Sequence, residues 1–294
     1  RKIALFCNVD FGGVIESPDV KSIYEIPLRF HAQGFDRQVC EKLQLETREP
    51  DLDSWRAMTE RILRPASGVR IAVVGKYTDL HDAYKSVHEA LLHGGIPHHV
   101  GVDIEWIGSD AFADEAEAGR LLEGFDGLLI PGGFGERGIG GMIEAVRWAR
   151  THRLPFFGIC LGLQVAIIEF ARNVCGMTET NSTEFEPECE TPVISLMPSQ
   201  RDVTEKGGTM RLGAYPARLR KGSRAAEAYG STEISERHRH RWEVSNAYRD
   251  LLAEHGLRLS GQSPDGGLVE IIELPDHPWF VGVQFHPELK SRPT

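Results

Sequence analysis

Between residues 69 and 172, short apolar runs alternate with stretches of helical spacing, and no other feature of the chain constrains its fold as strongly. Residues 69–75, 102–107, 125–130 and 155–159 read as buried-type strands. Residues 83–93, 112–122, 142–151 and 161–172 carry apolar side chains at helical intervals. Strands separated by helices cannot close as hairpins, so they pair parallel and helices cover both faces. The expected fold is therefore α/β with a mostly parallel sheet. Residues 193–214 shift toward β and turn residues, and 268–274 and 279–285 add two apolar strands.

Residues 1–65 read differently from 66–294. An apolar run over 3–9 stops at Asp10-Phe11-Gly12-Gly13 and predicts a strand leading into a loop. Another element begins at residues 23–27, and helices are expected over 36–45 and 53–63, the latter through Trp55, Met58, Ile62 and Leu63. So few elements make a thin core, so this segment is expected to complete or pack on a larger fold. Pro65-Ala66-Ser67-Gly68 reads as a linker. The start has no Met and no small-residue cleavage site, so it reads as the interior of something longer and not as a signal peptide.

Composition excludes several classes. Hydrophobic residues at 41% and charged residues at 26% are globular values with material for a core. The 43 acidic residues outnumber 33 basic ones, a formal charge of −10, which argues against generic nucleic-acid binding. No apolar run nears the ~20 residues of a membrane-spanning helix. The five cysteines are odd in number and widely spaced, which points to a reducing, cytoplasmic setting without a disulfide framework. No CxxC pair occurs and no cysteine lies near His98-His99, so structural zinc is not expected.

Cys160 stands apart from the other cysteines. In Gly158-Ile159-Cys160-Leu161-Gly162 it sits where a strand meets a helix, with glycine two places to each side. This is the pattern of a nucleophile elbow, a turn so tight that flanking side chains are not tolerated. The helix N-terminus beneath the sulfur favours thiolate over thiol. A buried cysteine at a strand end is the plainer reading, and the strand–turn–helix context outweighs it. A thiolate that releases an amine needs a proton shuttle. Among twelve histidines His286 is the candidate: it follows an apolar strand, and Glu288 two residues on can hold one ring nitrogen. An oxyanion needs two donors. The Leu161 N–H supplies one, and the loop Pro131-Gly132-Gly133-Phe134-Gly135 is the candidate for the other, through Gly133.

Together these three motifs, in the order Cys, His, Glu, resemble the triad-type (class I) glutamine amidotransferases, a flavodoxin-like α/β fold. Further stretches are similar to the CTP synthase family: Val74-Gly75-Lys76-Tyr77, Asp82 to Val87, Asn181 to Phe185, Gly207 to Gly213 and Arg237-His238-Arg239-His240-Arg241. Ile3 to Cys7 and Ser22 to Pro27 resemble the end of that family's ATP-dependent synthase domain. The resemblance implies glutamine hydrolysis that feeds ammonia to the amination of UTP to CTP. It makes Cys160 the nucleophile, His286 the general base and acid, and Glu288 its orienter. Glutamine would be held by Gly133, Leu161, Gly162, Leu163, Gln164, Glu184 and Arg241. A carboxylate suits the substrate ammonium, and an arginine suits its carboxylate bidentately. Taken alone, the run 237–241 reads as a solvated basic stretch. Lys2, Asp19 and Val20 align with nucleotide-binding positions, and Lys76 and Lys85 with positions coupling the two halves. The resemblance also implies Mg2+ with ATP, its ligands outside this chain, GTP as an activator, a homotetramer and a cytoplasmic enzyme.

Two departures qualify this. No phosphate loop of the G-x-x-x-x-G-K-[ST] kind occurs, so the piece is expected to hydrolyse glutamine and not to make CTP. Residues 198–206 look shorter than the family's lid, which predicts weak GTP activation; the family's last helix also looks absent. Other readings are a different class I amidotransferase, a cysteine-elbow hydrolase related to intracellular peptidases (where His usually follows the Cys, here Leu161), and an inactive fold used for assembly.

Overall fold

The computed structural model describes residues 1–78, 80–196 and 210–293. The stretch 198–206, and Gly207, Gly208 and Thr209 of the motif after it, lie outside the described residues. The chain divides into two compact units, one of residues 1–68, 92–101 and 293–294, the other of 69–91 and 102–292.

The first unit holds helices α1 (Lys2–Cys7), α2 (Ile26–Ala32), α3 (Phe35–Lys42) and α4 (Asp53–Leu63). Tyr24 organises it. Its carbonyl accepts from Trp55 Nε1 at 2.8 Å and Thr59 Oγ1 at 3.3 Å, and its hydroxyl meets His93 Nε2 at 2.6 Å. The strand expected over 3–9 is a helix instead, closed by Asn8 in the left-handed region at φ 50°. Among the described residues this segment pairs with no strand, and an unpaired strand leaves its backbone groups unsatisfied, whereas a helical turn satisfies them locally. Ile3, Leu5 and Phe6 are left 63%, 78% and 85% exposed.

The other elements are β1 (Ser67–Gly75), α5 (Lys85–Gly95), β2 (Val100–Gly108), α6 (Glu115–Leu122), β3 (Gly127–Ile130), α7 (Ile139–Thr151), β4 (Phe156–Ile159), α8 (Leu161–Asn173), β5 (Asn181–Ser182), β6 (Pro192–Leu196), β7 (Arg211–Leu219), α9 (Arg224–Tyr229), β8 (Glu233–His240), β9 (Trp242–Val244), α10 (Arg249–Glu254), β10 (Arg258–Gln262), β11 (Val269–Glu273) and β12 (Phe280–Val283). Helix α6 starts later than its apolar spacing predicts because Asp114 caps it, accepting the Glu117 N–H at 2.9 Å.

The main sheet runs β2-β1-β3-β4-β12-β11-β10-β7-β8, and β5-β6-β9 form a smaller one. The pairs β1·β3, β3·β4 and β4·β12 are parallel, as expected for strands joined through helices. The pairs β12·β11, β11·β10, β10·β7 and β7·β8 are antiparallel, so the sheet is mixed rather than mostly parallel. Connection length accounts for two of these pairs: β10, β11 and β12 follow one another through links too short for a crossover helix, whereas β7 and β8 pair antiparallel although α9 joins them.

Helix α8 is buried at every residue from Leu161 to Ala171 and packs on strands of both sheets. A helix that is apolar all round needs such complete cover. Its one buried charge, Glu169, takes Arg150 bidentately, Nε at 2.8 Å and Nη2 at 2.7 Å. The N-terminus of α8 approaches the sheet so closely that a Cβ on Gly162 would collide with the Ile130 carbonyl oxygen, and one on Gly158 would lie 2.6 Å from the Gly162 carbonyl carbon. Both obstacles are backbone. Gly162→Ala is therefore expected to cost about 2 kcal/mol or more of stability, read as a lower urea midpoint at unchanged slope.

Candidate active site

Cys160 links β4 to α8 with φ 52° and ψ −96°, a left-handed backbone that β-carbon residues avoid. Three contacts hold it there. Its N–H donates to the Val283 carbonyl at 2.7 Å, its carbonyl accepts from the Gln164 N–H at 3.2 Å, and the flanking glycines let the backbones touch. The thiol is 3% exposed and lies on the wall of a cleft of about 310 Å³. That volume is at the small end of ligand pockets, roughly 300–1,000 Å³. The cleft is also lined by Tyr84, Gly132, Gly133, Phe134, Arg239, His286 and Glu288.

His286 follows β12 and is anchored by its N–H to the Arg237 carbonyl at 2.8 Å. Its Nδ1 meets Glu288 Oε1 at 2.8 Å. A carboxylate accepts only, so the proton sits on Nδ1 and Nε2 is the working nitrogen. Nε2 is buried and has no hydrogen-bond partner among the described residues. Burial disfavours the imidazolium, but the adjacent Cys160 sulfur and the Glu288 carboxylate outweigh it and lift the His286 pKa to about 10. Gly132 makes room for the ring: a Cβ there would lie 2.6 Å from His286 Cε1.

The glycine loop is clamped from two sides. Lys76 Nζ donates to the carbonyls of Phe134, at 3.1 Å, and Gly135. Glu184 accepts the Gly135 N–H at 2.8 Å. Burial lowers the Lys76 pKa to about 8 and raises that of Glu184. Lys76, expected at a coupling position, thus lies against the loop of the cleft. A Cβ on Gly133 would lie 3.1 Å from Leu161 Cδ2, so the two expected oxyanion donors are neighbours. Leu161 is the first residue of α8, and its N–H has no acceptor within the helix.

Other expected residues fall elsewhere. Gln164 is 3% exposed and donates to the Trp242 carbonyl at 3.1 Å, so its amide faces the interior. Gly162 and Leu163 are buried in the first turn of α8. Arg241 is buried between β8 and β9, and Arg239 is the arginine that lines the cleft, over the Phe134 ring at 5.9 Å. Lys85 is an exposed residue at the start of α5, paired with Glu89 at 2.8 Å. Lys2, Asp19 and Val20 belong to the first unit, Lys2 and Asp19 exposed and Val20 half-buried. Among the described residues no group of three or more His, Cys, Asp or Glu is placed to hold a metal ion, and no helix is long and apolar enough to cross a membrane.

The run 237–241 is not a solvated basic stretch. Strand alternation leaves Arg237 and Arg239 outside and buries His238 and His240, 2.9 Å apart. Burial, reinforced by Arg211, pushes their pKa values down to about 2 and about 3. Arg211 in turn holds Glu270 at 2.6 Å and Glu243 at 3.4 Å. The period of two in Arg-His-Arg-His-Arg was the available signal for this.

Comparison with known proteins adds the family. The profile for glutamine amidotransferase class-I matches residues 79–294, nearly three-quarters of the chain, and that for CTP synthase N-terminus matches residues 1–45. The chain belongs to the class I glutamine amidotransferases. The glutaminase domain of Trypanosoma brucei CTPS, solved with bound acivicin, is a related structure with TM-score 0.72 and 40% identity, covering 76% of this chain and 88% of that one. The CTP synthases of Geotalea uraniireducens and Geobacter sulfurreducens are 55% and 54% identical over 293 residues, 99% of this chain. The chain spans 55% and 54% of their lengths, about half of the curated relatives it matches.

In this amidotransferase the ion pair to His286 carries a pH signature. A histidine whose folded pKa is raised stabilises the fold fully below its unfolded pKa of about 6.5 and loses that contribution as pH climbs toward the folded value. The folded value of about 10 puts the loss between pH 6.5 and 10. Glu288→Gln removes a carboxylate that raises it, so urea unfolding of the variant should show a smaller fall in stability across that window than the wild type.

Proposed function

We propose that the chain hydrolyses glutamine at Cys160, His286 and Glu288. The observation that carries this is the His286 imidazole: Nδ1 is tied to Glu288, which leaves the buried Nε2 to the adjacent elbow cysteine in the same cleft.

In this reading the Cys160 sulfur attacks the side-chain amide carbon of glutamine. The N–H groups of Leu161 and Gly133 stabilise the oxyanion. His286 Nε2 gives its proton to the departing ammonia, leaving a glutamyl thioester on Cys160. Water then attacks the thioester, handing a proton to Nε2, and glutamate leaves. Glu288 keeps the ring oriented throughout and does not itself transfer the proton. Arg239 on the cleft and the buried Arg241 are the candidates for the substrate carboxylate. Glu184 is the candidate for its ammonium.

The whole protein is proposed to be a CTP synthase, in which ammonia from this site displaces phosphate from a UTP O4-phosphate made with ATP. The relatives' names and the match of residues 1–45 support this, as do the exposed Ile3, Leu5 and Phe6, which suit the end of a larger synthase domain. On this reading residues 1–65 are the end of that domain and 66–294 the amidotransferase. In the family Mg2+ accompanies ATP, so on this reading the metal would act on the synthase half. Lys2, Asp19 and Val20 would touch nucleotide there, and Lys85 would couple the halves. A cytoplasmic homo-oligomer, GTP-activated in the family, completes the proposal.

The test is ammonia release from glutamine. The chain should release ammonia, and Cys160→Ala should lower the rate by about 10⁴-fold or more. GTP should stimulate it little. CTP should form from UTP and ATP only when a synthase half is added. Release that survives Cys160→Ala would overturn the triad, and CTP made by the chain alone would overturn the division of labour.

A further inference from the structure

The sulfur of Cys160 has a second neighbour besides His286. Gln284 Nε2 lies 3.7 Å from Cys160 Sγ, within hydrogen-bond reach of a sulfur acceptor. Gln284 is completely buried and is the first residue past β12, with its own N–H on the Glu270 carbonyl at 2.8 Å. Its side-chain Oε1 accepts from Gln164 Nε2 at 3.4 Å, and Gln164 Nε2 also donates to the Trp242 carbonyl at 3.1 Å.

This chain of amides has only one direction. A backbone carbonyl accepts and never donates, so the Trp242 oxygen fixes the Gln164 amide with its NH2 inward. That NH2 can meet only an oxygen of Gln284, which turns the Gln284 NH2 toward the sulfur. Flipping Gln284 would set two NH2 groups against each other in a buried site and point a carbonyl dipole at a thiolate, and both are costly where no water can compensate.

We propose that Gln284 is a catalytic residue of the glutaminase, donating a hydrogen bond that stabilises the Cys160 thiolate. Gln164 and the Trp242 carbonyl are positioning groups that lock its orientation. This rests on the reading of Cys160 as nucleophile. It also makes the strand end after β12 supply three things to the elbow: the Val283 carbonyl for the Cys160 N–H, the Gln284 amide for its sulfur, and the His286 ring.

The experiment is the pH dependence of Cys160 alkylation by iodoacetamide, with the labelled residue located by mass spectrometry. It uses the full chain and the variants Gln284→Leu, Gln284→Glu and Gln164→Leu. His286 and Glu288 also act on the sulfur and are untouched in all three. A hydrogen bond to a charged group is typically worth tenfold or more in an equilibrium, so Gln284→Leu should move the thiolate midpoint up by about one pH unit. Gln284→Glu should move it further in the same direction, because a carboxylate replaces the donor. Gln164→Leu, which keeps the donor and releases its orientation, should give a smaller upward shift, and it keeps the proposal testable if the Gln284 variants do not fold. Glutaminase kcat should fall in parallel. A folded Gln284→Leu or Gln164→Leu chain with the wild-type midpoint overturns this proposal alone. A wild-type chain whose Cys160 is not alkylated at any pH overturns the nucleophile reading and this one with it.

Discussion

The parallel pairing of β4 with β12 is the constraint on which the rest depends. The register Ile159 to Val283 brings the last residue of one strand level with the last residue of the other. Cys160 and Gln284 therefore leave the sheet side by side, and the Cys160 N–H closes the pair on the Val283 carbonyl. The two segments are more than a hundred residues apart in sequence. A slip of one residue would turn every side chain past the strand ends to the opposite face. Phe156 and Phe280 pack with their rings tilted and 4.5 Å apart within the same pair and help hold that register from the core side.

Behind His286 lies a buried charged cluster that the chemistry does not touch directly. Arg211 serves Glu270 and Glu243, while His238 and His240 stay neutral because burial and the nearby guanidinium both oppose a further positive charge. Burial raises the carboxyl of Glu270 and takes that of Glu243 to about 8, and Arg211 opposes that rise at both. Phe285 stands edge-on to His238 and ties this cluster to the strand end that carries His286. The His286 imidazole thus backs onto two histidines that stay neutral.

Much of this was legible in the sequence because it is local. Gly158 and Gly162 around Cys160 announce the elbow, since a strand-to-helix turn that tight tolerates nothing larger. Alternating apolar periods marked the parallel half of the sheet and its helices. What was not legible depends on partners distant in the chain. The run at residues 3–9 has a strand's composition, and among the described residues no neighbouring strand pairs with it, so it closes on itself as α1. The basic run 237–241 shows its two faces only once β8 has a buried side. Gln164 was expected on the substrate through the resemblance alone, and its amide contacts with Trp242 and Gln284 are set by β9 and β12.

The amino-acid sequence by itself determined the class of fold and singled out the residues proposed as nucleophile, base and orienter, because each sits in a motif whose spacing carries its own geometry. The tertiary structure alone decided how those motifs meet. It split the sheet into parallel and antiparallel halves and put Lys76 and Glu184 on the glycine loop. It chose Arg239 over Arg241 for the wall of the cleft, and it aimed an amide at the sulfur. Those outcomes depend on which strands pair and in what register, a long-range choice that no short stretch of sequence encodes.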